Sequence, residues 1–156
     1  GTQVEVAAPD GRTYAAVGVD VGNPHAVSFV ADPAELASLP LWTPPRWSPE
    51  EAFPAGVNQE FVAVLGDGHV AMRVYERGSG ETRSCGTGTV AVAAATHARL
   101  GATAGPDPTI FRVDVPGGRV EVELADGQAW LTGPAVIVAH GEVAVPGGRR
   151  HNTLED

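Results

Sequence analysis

The chain has no lysine: all ten of its basic residues are arginine. A pyridoxal-phosphate Schiff base needs a lysine amine, so this polypeptide cannot form one. It has one cysteine, Cys85, which excludes an internal disulfide and points to a reducing, cytoplasmic setting. Positive charge is scarce, ten basic against nineteen acidic residues for a net charge of −9. No basic stripe exists to neutralise phosphates, so no nucleic-acid partner is expected. No apolar run approaches a membrane span, and the opening residues show no secretory-signal pattern. The expectation is a soluble protein without a membrane partner.

Glycine and proline are abundant, with 20 Gly and 13 Pro spread among short apolar runs. That distribution suits a turn-rich β protein, and 156 residues suit a single folded domain. Residues 1–146 read as that domain and residues 147–156 as a polar tail, flexible or an appended remnant. No internal repeat is visible.

Strands are expected at Thr13–Val21 and His25–Val30, separated by the turn Gly22-Asn23-Pro24. Asp32 and Pro33 open a brief helix to Leu39. Pro40 to Pro54 holds five prolines and reads as an irregular connection. Glu60–Leu65 and His69–Tyr75 form a hairpin around Gly66-Asp67-Gly68. Glu76 to Ser84 reads as a glycine-rich loop. A helix capped by Thr87 or Thr89 then runs to about Leu100, with Gly101 as its stop. It is apolar around most of its circumference and therefore buried. Strands at Thr109–Val115, Arg119–Leu124 and Ala129–Ala139 complete an α+β fold, a mostly antiparallel sheet curled barrel-like around one central helix.

Cys85 precedes that helix directly. The partial positive charge and free N–H groups of a helix start favour a thiolate and can hold a carboxylate beside the sulfur. If the loop folds back, Glu76 reaches the thiol proton and Arg77 pairs with an anionic group. The bland reading is a small buried cysteine with Glu76 and Arg77 as a solvated pair. Asn23 and His25 present an amide and an imidazole from a tight turn, suited to an amino-acid head and to proton transfer. A self-satisfied turn is the alternative for them, and Asn58 poses the same choice. The remaining histidines lack ligand spacing, and one cysteine cannot complete a zinc site. Gly86-x-Gly88-x-x-Ala91 lacks the preceding strand that a dinucleotide-binding turn needs.

Four segments in order, Gly22-Asn23-Pro24-His25, Gly56-Val57-Asn58, Glu76-Arg77-Gly78-Ser79-Gly80-Glu81-Thr82 and Ser84-Cys85-Gly86-Thr87-Gly88, resemble diaminopimelate epimerase. The match runs from about Gly22 to Val138 and looks like the second, C-terminal half of that enzyme. The resemblance implies a cofactor-independent isomerase that interconverts LL- and meso-diaminopimelate, a step toward lysine and cell-wall precursors. Two domains would face each other across a cleft, each bringing one cysteine to a helix start, thiolate base on one face of the α-carbon and thiol acid on the other. Cys85 matches one of the pair. Asn23, Asn58 and Arg77 would bind the substrate's distal end, Gly86 and Thr87 would hold the reacting carboxylate, and His25 and Glu76 would assist proton movement, Glu76 also touching the substrate.

The first half and its cysteine are absent from this chain. A lone thiol can exchange one face of a carbon but not invert it, so the chain by itself is expected to be inactive or nearly so. The missing half is the implied partner, and an exposed cleft face invites a homodimer. A proline racemase-like half and a non-catalytic amino-acid- or partner-binding domain are the competing readings.

Overall fold

A computed structural model of the chain describes residues 4–101 and 109–143. Ten strands form one sheet: β1 Val4–Ala7, β2 Thr13–Asp20, β3 Pro24–Phe29, β4 Arg46–Ser48, β5 Asn58–Gly66, β6 His69–Glu76, β7 Gly80–Thr82, β8 Thr109–Val115, β9 Gly118–Ala125 and β10 Gln128–Thr132. Their order is β10-β9-β8-β6-β5-β3-β2-β1-β4, with β7 attached to β6. Only β3 with β5 and β6 with β8 are parallel. The path does not close on itself, so the fold is α+β and sheet-dominated but no barrel. It does wrap the helix α2, Gly86–Leu100, which touches β2, β3, β5, β6, β8, β9 and β10.

Strand alternation divides the core in two. On one face, Val27, Val62, Val70, Met72, Val74, Phe111, Val113 and Val122 pack against Ala91, Val92 and Ala95 of α2. Small helix residues let that helix lie close to the sheet. On the other face Phe61 and Ala63 meet Val6, Leu36, Leu39 and Leu41, and Tyr14 stands edge-on to Phe61 with ring centroids 5.6 Å apart. This second layer is closed by α1, Pro33–Ser38, whose cap is as expected: Asp32 accepts the Glu35 N–H at 2.8 Å and Pro33 opens the first turn. Because side chains alternate along β5, Asn58 and Glu60 fall on the same side as Val62, toward α2.

Several expectations are corrected. The cap of α2 is Cys85 itself, neither Thr87 nor Thr89. The segment read as a glycine-rich loop contains β7, which pairs with β6. The proline-rich connection hides β4, an edge strand bounded by Pro45 and Pro49, where a missing N–H is tolerated. The last strand stops at Thr132, and residues 133–143 carry no regular structure. Gly133 and Pro134 break it. Strand β1 was not anticipated. The tail at 147–156 lies outside the described residues.

Candidate active site

Cys85 ends the approach to α2 in an extended conformation, φ −131° and ψ 114°. Its sulfur accepts the N–H of Gly88 at 3.4 Å and lies 3.6 Å from the Thr87 hydroxyl. Thr89 closes the turn, its N–H and hydroxyl both donating to the Cys85 carbonyl at 2.9 and 2.7 Å. Among the described residues this leaves the N–H groups of Gly86 and Thr87 as the unclaimed donors of the first turn. Both residues are exposed. A helix start with two open donors beside a sulfur can hold a carboxylate there.

Burial pushes the Cys85 thiol above the ordinary thiol range; hydrogen bonds from Thr87 and Gly88 pull the other way, and the charges of Glu76 and Glu60 add to the rise. Burial thus works against the helix start, which by itself favours the thiolate.

Glycine at 88 is a spatial requirement. A Cβ there would lie 2.8 Å from Glu60 Oε1, 3.2 Å from Cys85 Sγ and 3.3 Å from Cys85 Cβ. The helix therefore seats its first turn directly on Glu60, a residue to which the sequence reading gave only a place in a strand. Glu60 is fully buried. Its Oε1 lies 2.6 Å from Nδ1 of His25, also fully buried, and Nε2 of His25 lies 3.1 Å from Oδ1 of Asn23. The Asn23 amide nitrogen in turn faces the Thr87 hydroxyl at 3.4 Å. Cys85, Thr87, Asn23, His25 and Glu60 thus form one continuous hydrogen-bonded chain. Both ring nitrogens of His25 are engaged within it, so His25 meets the thiol only through Asn23 and Thr87. Burial raises the Glu60 carboxyl from its ordinary range, opposed by the hydrogen bond and charge of His25.

Asn58 is held between backbones. Its Oδ1 accepts the Arg77 N–H at 3.0 Å and its Nδ2 donates to the Pro24 carbonyl at 3.1 Å. It ties the Asn23–His25 turn to the end of β6. Arg77 lays its aliphatic stem on Gly56, where a Cβ would fall 2.9 Å from Cδ, and donates to the Ala55 carbonyl at 3.0 Å. Gly56 also has φ +84°, the left-handed region that favours glycine. Glu76 Oε1 accepts from the Thr82 hydroxyl, which β7 positions. The residues expected at the site therefore fall in two joined groups, the thiol chain and the Asn58–Arg77 clamp, with Glu76 acting on Cys85 through its charge.

A cavity of about 840 Å³, lined in part by Val4, Ala16, Phe29, Ala95 and Arg99, lies at the far end of α2. Its lining includes Glu5 and Ser48 but neither Cys85 nor any other member of the thiol chain, so the chemistry, and not the cavity's size, locates the candidate site. Among the described residues no three potential metal ligands cluster, and no helix is long and apolar enough to cross a membrane.

The sequence model of the family described as diaminopimelate epimerase matches residues 17–145. The diaminopimelate epimerase of Streptomyces coelicolor is 54% identical over 134 residues, 84% of this chain and 46% of that protein. Those of Mycobacterium sp. (strain KMS) and Corynebacterium glutamicum (strain R) are each 48% identical, covering 86% and 87% of this chain and 45% and 48% of their own lengths. The chain spans about half the length of the curated relatives it matches. Among solved structures, a phenazine biosynthesis protein PhzF family member from Enterococcus faecalis aligns with a TM-score of 0.42 at 18% identity, over 78% of this chain and 39% of that one.

Proposed function

The chain belongs to the diaminopimelate epimerase family, and we propose on that premise that it is the half of such an isomerase that brings Cys85 to one face of the substrate's α-carbon. The reaction interconverts LL- and meso-diaminopimelate without a cofactor. A second cysteine, on a companion half, works the opposite face. Length supports a companion, because the curated relatives are about twice as long as this chain.

An α-hydrogen beside a carboxylate is weakly acidic, so the developing negative charge must be stabilised where water is excluded. The open N–H groups of Gly86 and Thr87 can bind that carboxylate and its growing charge. The buried thiol then delivers a proton to the carbon, and its sulfur keeps the Gly88 N–H and Thr87 hydroxyl as partners for the resulting thiolate. In the reverse direction the same thiolate removes the proton. Glu76, whose negative charge reaches Cys85, favours the thiol when the thiolate takes its next proton from solvent. Arg77, Asn58 and Asn23 are assigned to the distal amino-acid end, with Glu76 also touching the substrate. For Asn58 that grip is partly indirect, since it holds the Arg77 and Pro24 backbones in register. Orientation of the distal end supplies the alignment that the reacting end needs. The cytoplasm is the setting of this reading.

The observation that carries it is the contact of the Cys85 sulfur with the first turn of α2 beside two open backbone donors. The test is deuterium incorporation with each diaminopimelate isomer in deuterated water, for this chain alone and for the complete two-halved protein. The complete protein should invert the α-carbon, with solvent deuterium in the product. The chain alone should show no inversion above background. Brisk inversion by the chain alone, or none by the complete protein, would overturn the proposal.

A further inference from the structure

Two carboxyl-bearing or imidazole groups buried together without solvent need a definite number of protons, and the geometry at His25 counts them. The Asn23 amide lies with its nitrogen toward the Thr87 hydroxyl at 3.4 Å and its oxygen toward Nε2 of His25 at 3.1 Å. An amide oxygen only accepts, and Nε2 therefore carries a hydrogen. At the other ring nitrogen, Nδ1 and Glu60 Oε1 lie 2.6 Å apart. An imidazole lone pair and a carboxylate lone pair would repel at that separation, so a proton lies between them. The other carboxyl oxygen, Glu60 Oε2, is buried with no hydrogen-bond partner. A full negative charge on Glu60 would leave that oxygen bare in the interior.

We propose that Glu60 is a positioning residue of the thiol site, sharing a single proton with Nδ1 of His25 so that the buried pair carries no net charge beneath the helix that presents Cys85. Ionised glutamate with imidazolium and neutral glutamic acid with imidazole are the same pair with its proton on opposite sides of one short bond. Either way the proton is retained where an exposed histidine and glutamate would have released it. The remaining titratable groups facing the pair are Glu76, from β6, and Cys85, at the start of α2. Both gain from its neutrality, since an unpaired charge on Glu60 would hold the thiol proton harder still. The chain Glu60–His25–Asn23–Thr87 orients groups and does not conduct protons, because an amide N–H is too weak an acid to relay one. The relevance of the pair to catalysis rests on the epimerase reading; its proton count does not.

The test reads proton binding, not turnover. Above about pH 7 an unfolded chain has mostly neutral histidine and ionised glutamate. The folded pair holds one proton more, so the folded state of the pair is favoured at low pH and loses that advantage as pH rises. By linkage, the unfolding equilibrium constant should rise by about tenfold per pH unit more in the wild type than in Glu60→Gln, between about pH 7 and 8. Glutamine can donate an amide N–H to Nδ1 and keeps the ring in place without the extra proton. Equal slopes for the two proteins would overturn the proposal. Should the variant fail to fold, nitrogen-15 NMR of the wild-type His25 ring decides. The expected result is a hydrogen on Nε2 and a strongly deshielded bridging proton at Nδ1, whereas a bare Nε2 or an ordinary, upfield Nδ1 proton would contradict the shared proton.

Discussion

Replacing Cys85 with serine in the complete, two-halved protein should lower interconversion of LL- and meso-diaminopimelate by about 10²- to 10⁴-fold, the range lost with a positioned acid or base. The substitution isolates chemistry from structure. Cys85 caps α2 through its side chain, accepting the Gly88 N–H at 3.4 Å, and serine is the better capping residue. Helix and fold should therefore survive, and thermal unfolding should match or exceed that of the wild type. A hydroxyl is a much weaker acid than a thiol and a poorer base once ionised. Conversion followed by NMR should fall in both directions, since one residue serves as acid for one isomer and base for the other. Wild-type conversion would return Cys85 to a packing role.

Gly88→Ala should be the most damaging single methyl group at the site. The helix backbone there accepts alanine, so strain comes from space alone. The added carbon would sit 2.8 Å from Glu60 Oε1, and that oxygen cannot swing away, because it is buried and bonded to His25 at 2.6 Å. Overpacking of this kind costs about 1–3 kcal/mol, offset in part by alanine's helix propensity of up to about 1 kcal/mol over glycine. The same methyl group presses on Cys85 Sγ. Displacing the sulfur by a fraction of the bond it must make should lower turnover of the complete protein by about 10²-fold. Gly86→Ala is the control: its Cβ would meet Leu131 at 3.4 Å, an ordinary contact. Denaturant unfolding should be little changed for Gly86→Ala and clearly shifted for Gly88→Ala. Equal behaviour of the two would mean that the first turn does not rest on Glu60.

Local signals carried much of this fold, and long-range ones did not. The hairpin of β5 and β6, the Asp32–Pro33 helix start and the apolar α2 each declare themselves within a dozen residues. By contrast β4 is three residues long among prolines and exists because it pairs with β1, some forty residues earlier. Threonine at 87 or 89 satisfies the sequence rule for a cap, yet Cys85 holds that place. Only the structure shows the sulfur doing that work. Glu60 was the principal omission at the site. An acidic residue at a strand start reads as solvated, and its partner His25 is 35 residues away in sequence. The signal was present in one respect: Asn58 and Glu60 share a face with Val62 in a strand that is otherwise apolar there, so a polar pair was entering the core. The family motifs named the thiol, the clamp and the turn, but they did not show that Asn58 bonds backbones or that both nitrogens of His25 are engaged.

The proton traffic proposed at Cys85 starts from a buried thiol, and the pH profile of its alkylation by iodoacetamide, measured on this chain, tests that starting point most directly. Burial, reinforced by the charge of Glu76, predicts slow labelling at neutral pH and an inflection above the ordinary thiol midpoint of about 8.5. Rapid labelling with an inflection below pH 7 would reveal a standing thiolate and contradict the rise that burial imposes.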